Sequence, residues 1–502
     1  MKIREKLSLA NLKEITSHKK LLDFALKSSP KTLEFLIKKP TLRRTTSKIL
    51  FKKIAKQLLL DMRYPEKVQI EKIYMSRAIS ESLNKLLDNA NKSPVYREAI
   101  IKRVIPALLD QMKRWPKITE TYKKEHGFFP PGFLTISPTR FCNLKCIGCY
   151  ANSSSAFAEK INWKILNSIM KEKTEKWGSW FTVISGGEPF LYKDQGKTIL
   201  DLFEKYPNNF FLVYTNGTLI TDKVAKKLAE LGNVTPAISV EGFEKETDER
   251  RGKGVHKRIL KAFENLNKYG VPFGISVTAT TKNADIAASD KMMDYYFNLG
   301  ALYAWLFQLM PIGRGAMELL VTPKQRLKLF RQEQHLIKDK KYFVADFWNC
   351  GMVSNGCIAG GKGYLYIEWN GNVTPCVFNP YAVANVNKIY NKKNGSLDEA
   401  LESKFFCTIR NWQKDYALEK KPEKMGNWIL PCPIRDHYAD YRKFLEECKP
   451  EPIDDEAATA FTDNQYKKEL KDYDKKLSKI FNPIWEKEYL KPEKFRDKKI
   501  NL

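Results

Sequence analysis

The sequence lacks a hydrophobic run long enough to cross a membrane. Its longest apolar run, residues 301–311, is about half of the roughly 20 residues that a spanning helix needs. The first residues, MKIREKLSLANLKE, also lack the apolar core of a secretory signal. We therefore expect a cytoplasmic protein.

Cysteine is scarce, with nine in 502 residues, and the odd count leaves at least one unpaired. Because the cytosol is reducing, these residues are expected to be thiols or metal ligands rather than disulfides.

Acidic residues are too few to balance the basic ones, and the net charge is +29. Residues 1–126 hold 30 Lys and Arg against 13 Asp and Glu, so 17 of the excess positive charges lie in the first quarter of the chain. Such an excess attracts an acidic membrane surface, a nucleic acid or an acidic substrate.

The same region, 1–126, shows helical spacing of apolar residues and no strand-like alternation, which predicts an all-helical domain. Prolines are expected to break its helices at Pro30, Pro40, Pro65 and Pro94. The segment TSKILFKKIAKQLLLDM carries a stripe of lysines opposite a stripe of apolar residues: Lys48, Lys52 and Lys56 against Leu50, Ile54 and Leu58. Such a helix can lie on an anionic membrane, although a helix docked on the protein's own core, with its lysines in solvent, is the favoured interpretation of this segment. No nucleic-acid-binding motif is present, so nucleic acid is not an expected partner.

Beyond residue 126, short β-rich runs alternate with amphipathic helical stretches. Helices are predicted over 220–232 and 256–270, and both end in glycine. The alternation predicts an α/β fold with a parallel sheet, whose ligands lie at the carboxyl ends of its strands. The six predicted strands are 133–137, 181–185, 210–215, 236–240, 273–278 and 303–309.

Three cysteines, Cys142, Cys146 and Cys149, follow the first strand in the pattern C-x3-C-x2-C. A structural zinc site takes four ligands, and neither histidine nor cysteine supplies a fourth nearby. An iron-sulfur cluster can take three thiolates from one short loop. Its remaining iron would then be open to an exogenous ligand, so the pattern favours a cluster over zinc or inert thiols.

The triad, followed by Gly-Gly-Glu-Pro (186–189) after the second strand, resembles the radical S-adenosylmethionine (SAM) superfamily over residues 133–315. The resemblance implies a partial six-stranded (β/α)6 barrel and a [4Fe-4S] cluster whose open iron binds SAM. It implies an enzyme of C–H activation, of oxidoreductase or transferase type, in which a 5'-deoxyadenosyl radical takes hydrogen from the substrate. An electron donor such as ferredoxin or flavodoxin is the implied partner.

The resemblance also implies which residues contact the cofactor. The two glycines let the main chain approach the methionyl ammonium, and polar residues at strand ends contact the ribose and methionine. Arg250 and Arg251 could pair with the SAM carboxylate, although we expect them in a solvated loop. The aromatic residue that family members often carry before the third cysteine is Gly148 here, and Tyr150 follows. The implied cofactor-binding residues are Gly186, Gly187, Glu188, Pro189, Asn216, Ser239, Glu241 and Met310.

Six further cysteines follow the predicted barrel. The segment 357–376 predicts a hairpin with an Asn-Gly turn that brings its terminal cysteines together. It resembles SPASM and twitch extensions, in which C-x(9–15)-G-x4-C carries an auxiliary cluster, and Gly371 fits that pattern. The resemblance implies one auxiliary [4Fe-4S] cluster, with Cys407 and Cys448 as plain thiols; buried, unused cysteines are the alternative. The implied ligands are Cys357, Cys376, Cys432 and Cys350.

Four segments follow from these patterns. They are 1–126, a basic helical domain; 127–325, the radical SAM barrel; 326–450, a SPASM/twitch-like domain; and 451–502, a charged helical tail.

These sequence patterns are compatible with more than one class of substrate. Enzymes with SPASM and twitch extensions commonly modify peptides or proteins, but the aspartate base that sulfatase maturases place after the cysteine is Val377 here. The layout, including 236–254 and 346–361, is similar to a bacterial group that includes enzymes joining lipid tails across the membrane. We expect C–C coupling of membrane lipid acyl chains, with the protein peripheral at the inner membrane face. A peptide- or protein-modifying maturase is the alternative, and a non-catalytic iron-sulfur or nucleic-acid-binding scaffold the remote one.

Overall fold

The structure is a computed structural model that describes residues 34–35 and 37–491. The predicted break at Pro30 and the last part of the predicted tail lie outside the described residues. Within them, no helix combines the length and the apolarity needed to span a bilayer.

Helices precede the first strand, as predicted. Pro40 and Pro94 stand in the first turns of two of them, where their fixed φ suits the helix and their missing N–H leaves no donor unpaired. On the first helix the three lysines of the predicted stripe are exposed, and the apolar stripe is half-buried. The helices are Pro40–Leu59, Glu66–Lys92, Pro94–Ala99 and Ile105–His126, with a π-helical turn at Ile100–Val104.

Within residues 37–491, the strands form one ten-stranded sheet and two small ribbons. In chain order they are β1 (Phe133–Ile136), β2 (Phe181–Ile184), β3 (Lys193–Asp194), β4 (Lys197–Thr198), β5 (Phe210–Thr215), β6 (Val234–Val240), β7 (Gly274–Ala279), β8 (Tyr303–Gln308), β9 (Phe343–Asp346), β10 (Tyr366–Ile367), β11 (Asn372–Thr374), β12 (Tyr381–Ala382), β13 (Ala384–Asn385) and β14 (Glu451–Pro452).

All six predicted strands are confirmed: they are β1, β2, β5, β6, β7 and β8, and they lie side by side in that order, all parallel. The sheet is wider than the six strands expected. Strand β9 pairs in parallel with β8, and β10 pairs in parallel with β1 at Thr135↔Tyr366. The added strands occupy backbone hydrogen-bonding edges that a six-stranded sheet would leave open.

Helices connect the parallel strands. The two predicted ones are Asp222–Leu231 and Val255–Tyr269, and each ends at a glycine with positive φ, Gly232 at 74° and Gly270 at 68°. The others are Trp163–Glu175, Ile199–Lys205, Glu244–Arg251, Ala284–Ala287, Asp290–Asn298 and Pro323–His335, with 3-10 turns at Pro189–Leu191 and Met317–Leu319 and a π-helical turn at Leu336–Lys340.

The predicted Asn-Gly hairpin is present as antiparallel β10 and β11, which extend the main sheet beside β1. The helix Asn464–Trp485 and the turn after it pack on the helices Pro323–His335 and Glu66–Lys92, where buried Trp485 and Tyr489 stack at 4.7 Å. The division into four segments stays a prediction. The remaining elements are the helices Gly351–Ser354, Val386–Asn391, Asp398–Leu401, Lys404–Gln413, Pro433–Asp436, Tyr438–Cys448, Asp455–Thr462 and Asn464–Trp485, with short turns at Lys414–Leu418, Pro422–Lys424 and Glu486–Leu490.

Candidate functional site

The three cysteines of the C-x3-C-x2-C motif lie in the loop after β1, and all three line one large cavity. Cys142 is 8% exposed, and its Sγ accepts a hydrogen bond from the backbone N–H of Leu144 (3.4 Å). Burial raises the pKa of Cys142 to about 12, with further contributions from Glu188 and the other two thiolates. A buried thiol of this kind ionises when a metal replaces its proton.

Arg314, which follows β8, holds the cysteine loop in shape. Its guanidinium donates to the carbonyl of Cys146 (3.1 Å), the carbonyl of Ser153 (2.8 Å) and Oδ1 of Asn152 (2.8 Å). Sequence reasoning missed this residue. Its signal was a lone basic residue, within PIGRG, just past the carboxyl end of the last predicted strand.

Gly186 and Gly187 follow β2 and press against the cysteine loop. A Cβ on Gly187 would lie 2.2 Å from the carbonyl oxygen of Phe141, and one on Gly186 would lie 2.7 Å from that of Thr139. The two loops are joined by bonds from Gly187 N to Thr139 O and from Glu188 N to Phe141 O, both 2.9 Å. The glycines therefore allow the two loops to pack together, in addition to lining the cavity.

Glu188 and Pro189 lie beneath the cavity wall rather than among its lining residues. Glu188 is fully buried, and its carboxylate accepts bonds from Thr215 Oγ1 (2.7 Å) and Asn216 N (2.8 Å), which ties the β2 loop to the end of β5. Burial raises the pKa of Glu188 to about 7. Glu188 therefore holds the β2 loop in place without lining the cavity itself.

The remaining predicted cofactor residues divide in two groups. Asn216, Ser239 and Met310 line the cavity at the carboxyl ends of β5, β6 and β8. The amide of Asn216 donates to Asn143 Oδ1 (2.9 Å), so it also braces the cysteine loop. Glu241 does not line the main cavity.

Glu241 is 1% exposed and pairs with both Arg250 and Arg251. The expectation of a solvated loop for these arginines is wrong: their side chains are 13% and 10% exposed, and both line the cavity. Nη1 of Arg251 lies 3.9 Å from Cys146 Sγ. A buried carboxylate compensates the two buried charges, a pairing that sequence spacing does not reveal.

The four cysteines predicted to hold the auxiliary cluster line the same cavity. Among them, Cys357, Cys376 and Cys432 lie close enough together for one thiolate to raise the pKa of another. Burial raises the pKa of Cys376 to about 12, and the Cys357 thiolate adds to that; the pKa of Cys432 is raised by burial, then by Asp436, Cys357 and Cys376. The pKa of Cys350 is raised first by burial and then by nearby carboxylates. Cys407 and Cys448 do not line the cavity.

Apolar and aromatic side chains line most of this cavity, which has a volume of about 470 Å³. Rings from different parts of the chain meet there: Tyr214 and Phe307 lie 5.4 Å apart, and Phe307 and Phe378 lie 6.0 Å apart. Tyr150 also faces the space and bonds Ser185 Oγ (2.6 Å). At one end the lining includes Met75 and Ile79 of the helix Glu66–Lys92.

These donors fit iron-sulfur clusters by their chemistry. Thiolates are the ligands that hold such clusters, and each group of cysteines supplies at least three to the lining of the cavity. Among the described residues, no three His, Cys, Asp or Glu side chains are arranged to hold a single metal ion. In a cluster each thiolate binds its own iron, so its ligands stand farther apart than those of one ion.

Comparison with known proteins agrees with this arrangement. Residues 136–285 match the model of the radical SAM superfamily, and residues 357–424 match the SPASM iron-sulfur cluster-binding domain. The AdoMet-dependent heme synthase of Methanosarcina barkeri is 27% identical over 290 residues, 51% of this chain and 80% of that protein.

Two maturation proteins are similar over about the same share of the chain. Mycofactocin maturase MftC of Mycolicibacterium smegmatis is 29% identical, over 52% of this chain and 68% of its own length. The sporulation killing factor maturation protein SkfB of Bacillus subtilis is 26% identical, over 49% and 60% respectively. Among solved structures, Streptococcus suis SuiB bound to the precursor peptide SuiA aligns with a TM-score of 0.48 and 18% identity, over 58% of this chain and 69% of that one.

A radical SAM domain implies a [4Fe-4S] cluster and SAM, and a SPASM domain implies auxiliary iron-sulfur binding. Both domains are present here, and cysteines of both regions line one cavity. The chain therefore carries a radical SAM domain at residues 136–285 and a SPASM domain at residues 357–424.

Proposed function

We propose that the enzyme removes a hydrogen atom from an apolar part of its substrate, held in the cavity between the two groups of cysteines. When bound, the [4Fe-4S] cluster and SAM supply the 5'-deoxyadenosyl radical that takes this hydrogen. Cys142, Cys146 and Cys149 are the proposed ligands of that cluster, and the electron is proposed to come from a ferredoxin or flavodoxin.

The chain's own residues position the cofactor and protect the reaction. Main-chain groups of Gly186 and Gly187, with Asn216 and Ser239, are proposed to orient the SAM methionine and ribose. Met310 is proposed to lie against the adenine. The aromatic walls are proposed to keep solvent and stray reductants away from the radical, which limits its side reactions.

The observation that carries the substrate class is the apolar lining beside the cysteine loop. A charged or strongly polar group placed against Leu212, Phe307 or Trp305 would lose its hydration without gaining hydrogen bonds. An aliphatic or aromatic group gains free energy there, about 25 cal/mol per Å² of apolar surface buried. The reacting part of the substrate is therefore apolar.

A peptide or protein carrying such a side chain is the first candidate substrate. Two of the relatives described above are named for maturation, which favours this class over lipids. Val377 lines the cavity beside Cys376, so a base at that position is absent and the chemistry must proceed without it. The reaction is then of a maturase type that needs no carboxylate there.

A membrane acyl chain is the second candidate, and a separate observation favours it. Ile79, at one end of the cavity, is 36% exposed, and Leu83 one turn further along is 54% exposed. This rim belongs to the basic N-terminal region, for which we propose peripheral membrane binding. An acyl chain could enter there with its head group outside.

Deuterium transfer distinguishes the candidates. The reduced, reconstituted enzyme is given SAM and either the peptide-and-protein fraction or the lipid extract of perdeuterated cells of the source organism. Deuterium in 5'-deoxyadenosine, measured by mass spectrometry, identifies the fraction that holds the substrate. The maturase proposal predicts transfer from the first fraction, the acyl proposal from the second. SAM cleavage without deuterium from either fraction contradicts both, and Cys142→Ala is the control that makes no 5'-deoxyadenosine.

Vesicle sedimentation tests membrane binding separately. Binding to vesicles of anionic phosphatidylglycerol, absent with phosphatidylcholine and weakened by salt, is the expected result. Equal binding to both lipids, or none to either, contradicts the proposed attachment.

A further inference from the structure

Several buried polar atoms around the SPASM cysteines have no hydrogen-bond partner within the described part of the chain. They are side-chain donors of Tyr364, Asn379 and Arg435. An unpaired buried donor costs about 1–3 kcal/mol, so native proteins rarely keep several close together. Tyr364 lies near the thiols of Cys357 and Cys376, Arg435 lies near that of Cys432, and Asn379 follows Cys376 by three residues.

Tyr364 is 1% exposed and lines the cavity. Burial raises the pKa of its hydroxyl well above the usual value, and the Cys376 and Cys357 thiolates raise it further, which places Oη beside these sulfurs. The ring is fixed by stacking on Phe133 at 5.0 Å. Its O–H therefore points at the space next to the two thiols.

Asn379 is 2% exposed and also lines the cavity. Its Oδ1 accepts bonds from Tyr381 N and Tyr441 Oη, both 3.1 Å, which fixes the orientation of the amide. Its own backbone N–H donates to the Cys376 carbonyl (3.0 Å). The side-chain Nδ2 is left with its hydrogens unpaired, three residues after a predicted ligand.

Arg435 is 0% exposed, three residues after Cys432, and its guanidinium lies 4.5 Å from the Trp348 ring centre. Its Nε donates to Asp436 (3.3 Å), but Nη1 and Nη2 have no partner in the described residues. Asp436 is already held by Arg326. The positive charge of Arg435 opposes the rise that burial and Asp436 cause in the pKa of Cys432.

We infer that Tyr364 Oη, Asn379 Nδ2 and the Arg435 guanidinium donate hydrogen bonds to the sulfur atoms of the auxiliary cluster and thereby raise its reduction potential. This inference rests on the proposed ligands Cys357, Cys376 and Cys432. Hydrogen bonds and positive charge at the sulfurs stabilise the more negative, reduced cluster, which makes the potential higher. These three are positioning residues, since they act through the cluster.

The test measures the potential of the auxiliary cluster alone. The full-length protein with Cys142, Cys146 and Cys149 changed to alanine is reconstituted with iron and sulfide, and its remaining cluster is titrated under EPR. Tyr364→Phe and Arg435→Gln are then added to that background, singly and together. Tyr192→Phe and Arg442→Gln are the matched controls: Tyr192 is a buried tyrosine bonded to Ile161 O (2.9 Å), and Arg442 is a buried arginine stacked on Phe461.

Each substitution near the thiols is expected to lower the midpoint potential, the double variant more than either single one, while the controls leave it unchanged. Tyr364→Phe removes one oxygen and keeps the ring, so it remains informative if Arg435→Gln does not fold. Equal potentials in a background that loads its full iron would overturn the inference and leave the proposed function standing. If the triple-alanine background protein holds no cluster, both the proposed ligand set and the inference are overturned. The proposed function is tested separately, by SAM cleavage in the wild-type protein.

Discussion

Gly187→Ala is the sharpest structural test of the site, because the added methyl group meets only backbone. Its Cβ would lie 2.2 Å from Phe141 O and 2.6 Å from Arg140 O, so the cysteine loop must move by about 1 Å to restore normal contact. That movement stretches the two 2.9 Å bonds between the loops. Overpacking costs about 1–3 kcal/mol, and each weakened bond about 1 kcal/mol, so we expect a loss of about 3–5 kcal/mol locally.

The functional effect follows from the same displacement, since a misplacement of about 1 Å at a reacting centre can lower the rate about 100-fold. The assay is the initial rate of 5'-deoxyadenosine formation under dithionite, with iron content measured in parallel. Gly132→Ala is the control, because its Cβ would meet only Gly363 O at an ordinary 3.8 Å. A Gly187→Ala enzyme with full iron and the wild-type rate would refute the packing of these two loops.

Three further predictions concern residues around the site. Burial raises the pKa of Glu368 to about 7 from 4.5, so the folded state holds this proton more tightly than the unfolded state. The contribution of Glu368 to the free energy of unfolding is therefore fully present below pH 4.5. It falls by about 3 kcal/mol as the pH rises to 7. Glu368→Gln should therefore flatten the fall in thermal midpoint between pH 4.5 and 7, and an unchanged slope would contradict this. Arg326→Met removes a partner from a fully buried ion pair and should lower the free energy of unfolding by about 3–5 kcal/mol. Arg331→Met, at a half-exposed ion pair, should lower it by at most about 1 kcal/mol. Similar melting temperatures for the two variants would show that the burial argument fails. Arg314→Met removes the donors that hold the cysteine loop, and we expect lower iron content at that loop with the SPASM cluster retained; full iron at both would count against that role.

The sheet could be predicted from sequence because each strand is a short apolar run bounded by turns and helices. Strand β10 could be predicted as part of the Asn-Gly hairpin, but its pairing with β1 could not, because the two strands lie far apart in sequence. Strand β9, which is four residues long, was not predicted. The cysteine loop was identified by its spacing, yet its brace, Arg314, comes from more than 160 residues away. The spacing of residues in the sequence does not reveal such long-range contacts.

Side-chain direction explains the other differences at the site. Glu188 belongs to a motif associated with the cofactor, but its carboxylate turns away from the cavity to meet donors at the end of β5. Arg250 and Arg251 look like a charged, solvated pair in sequence, and only the fold brings Glu241 between them. The unpaired donors near the SPASM cysteines likewise become visible only when their neighbours are known.

The most direct test of the account compares the wild type with the variant in which Cys142, Cys146 and Cys149 are alanine. Both are purified anaerobically, reconstituted, reduced with dithionite and given SAM. We expect the variant to hold about four fewer irons and to form no 5'-deoxyadenosine, while the wild type forms it. Equal iron and equal SAM cleavage in the two proteins would contradict the assignment of the radical-generating cluster to this loop.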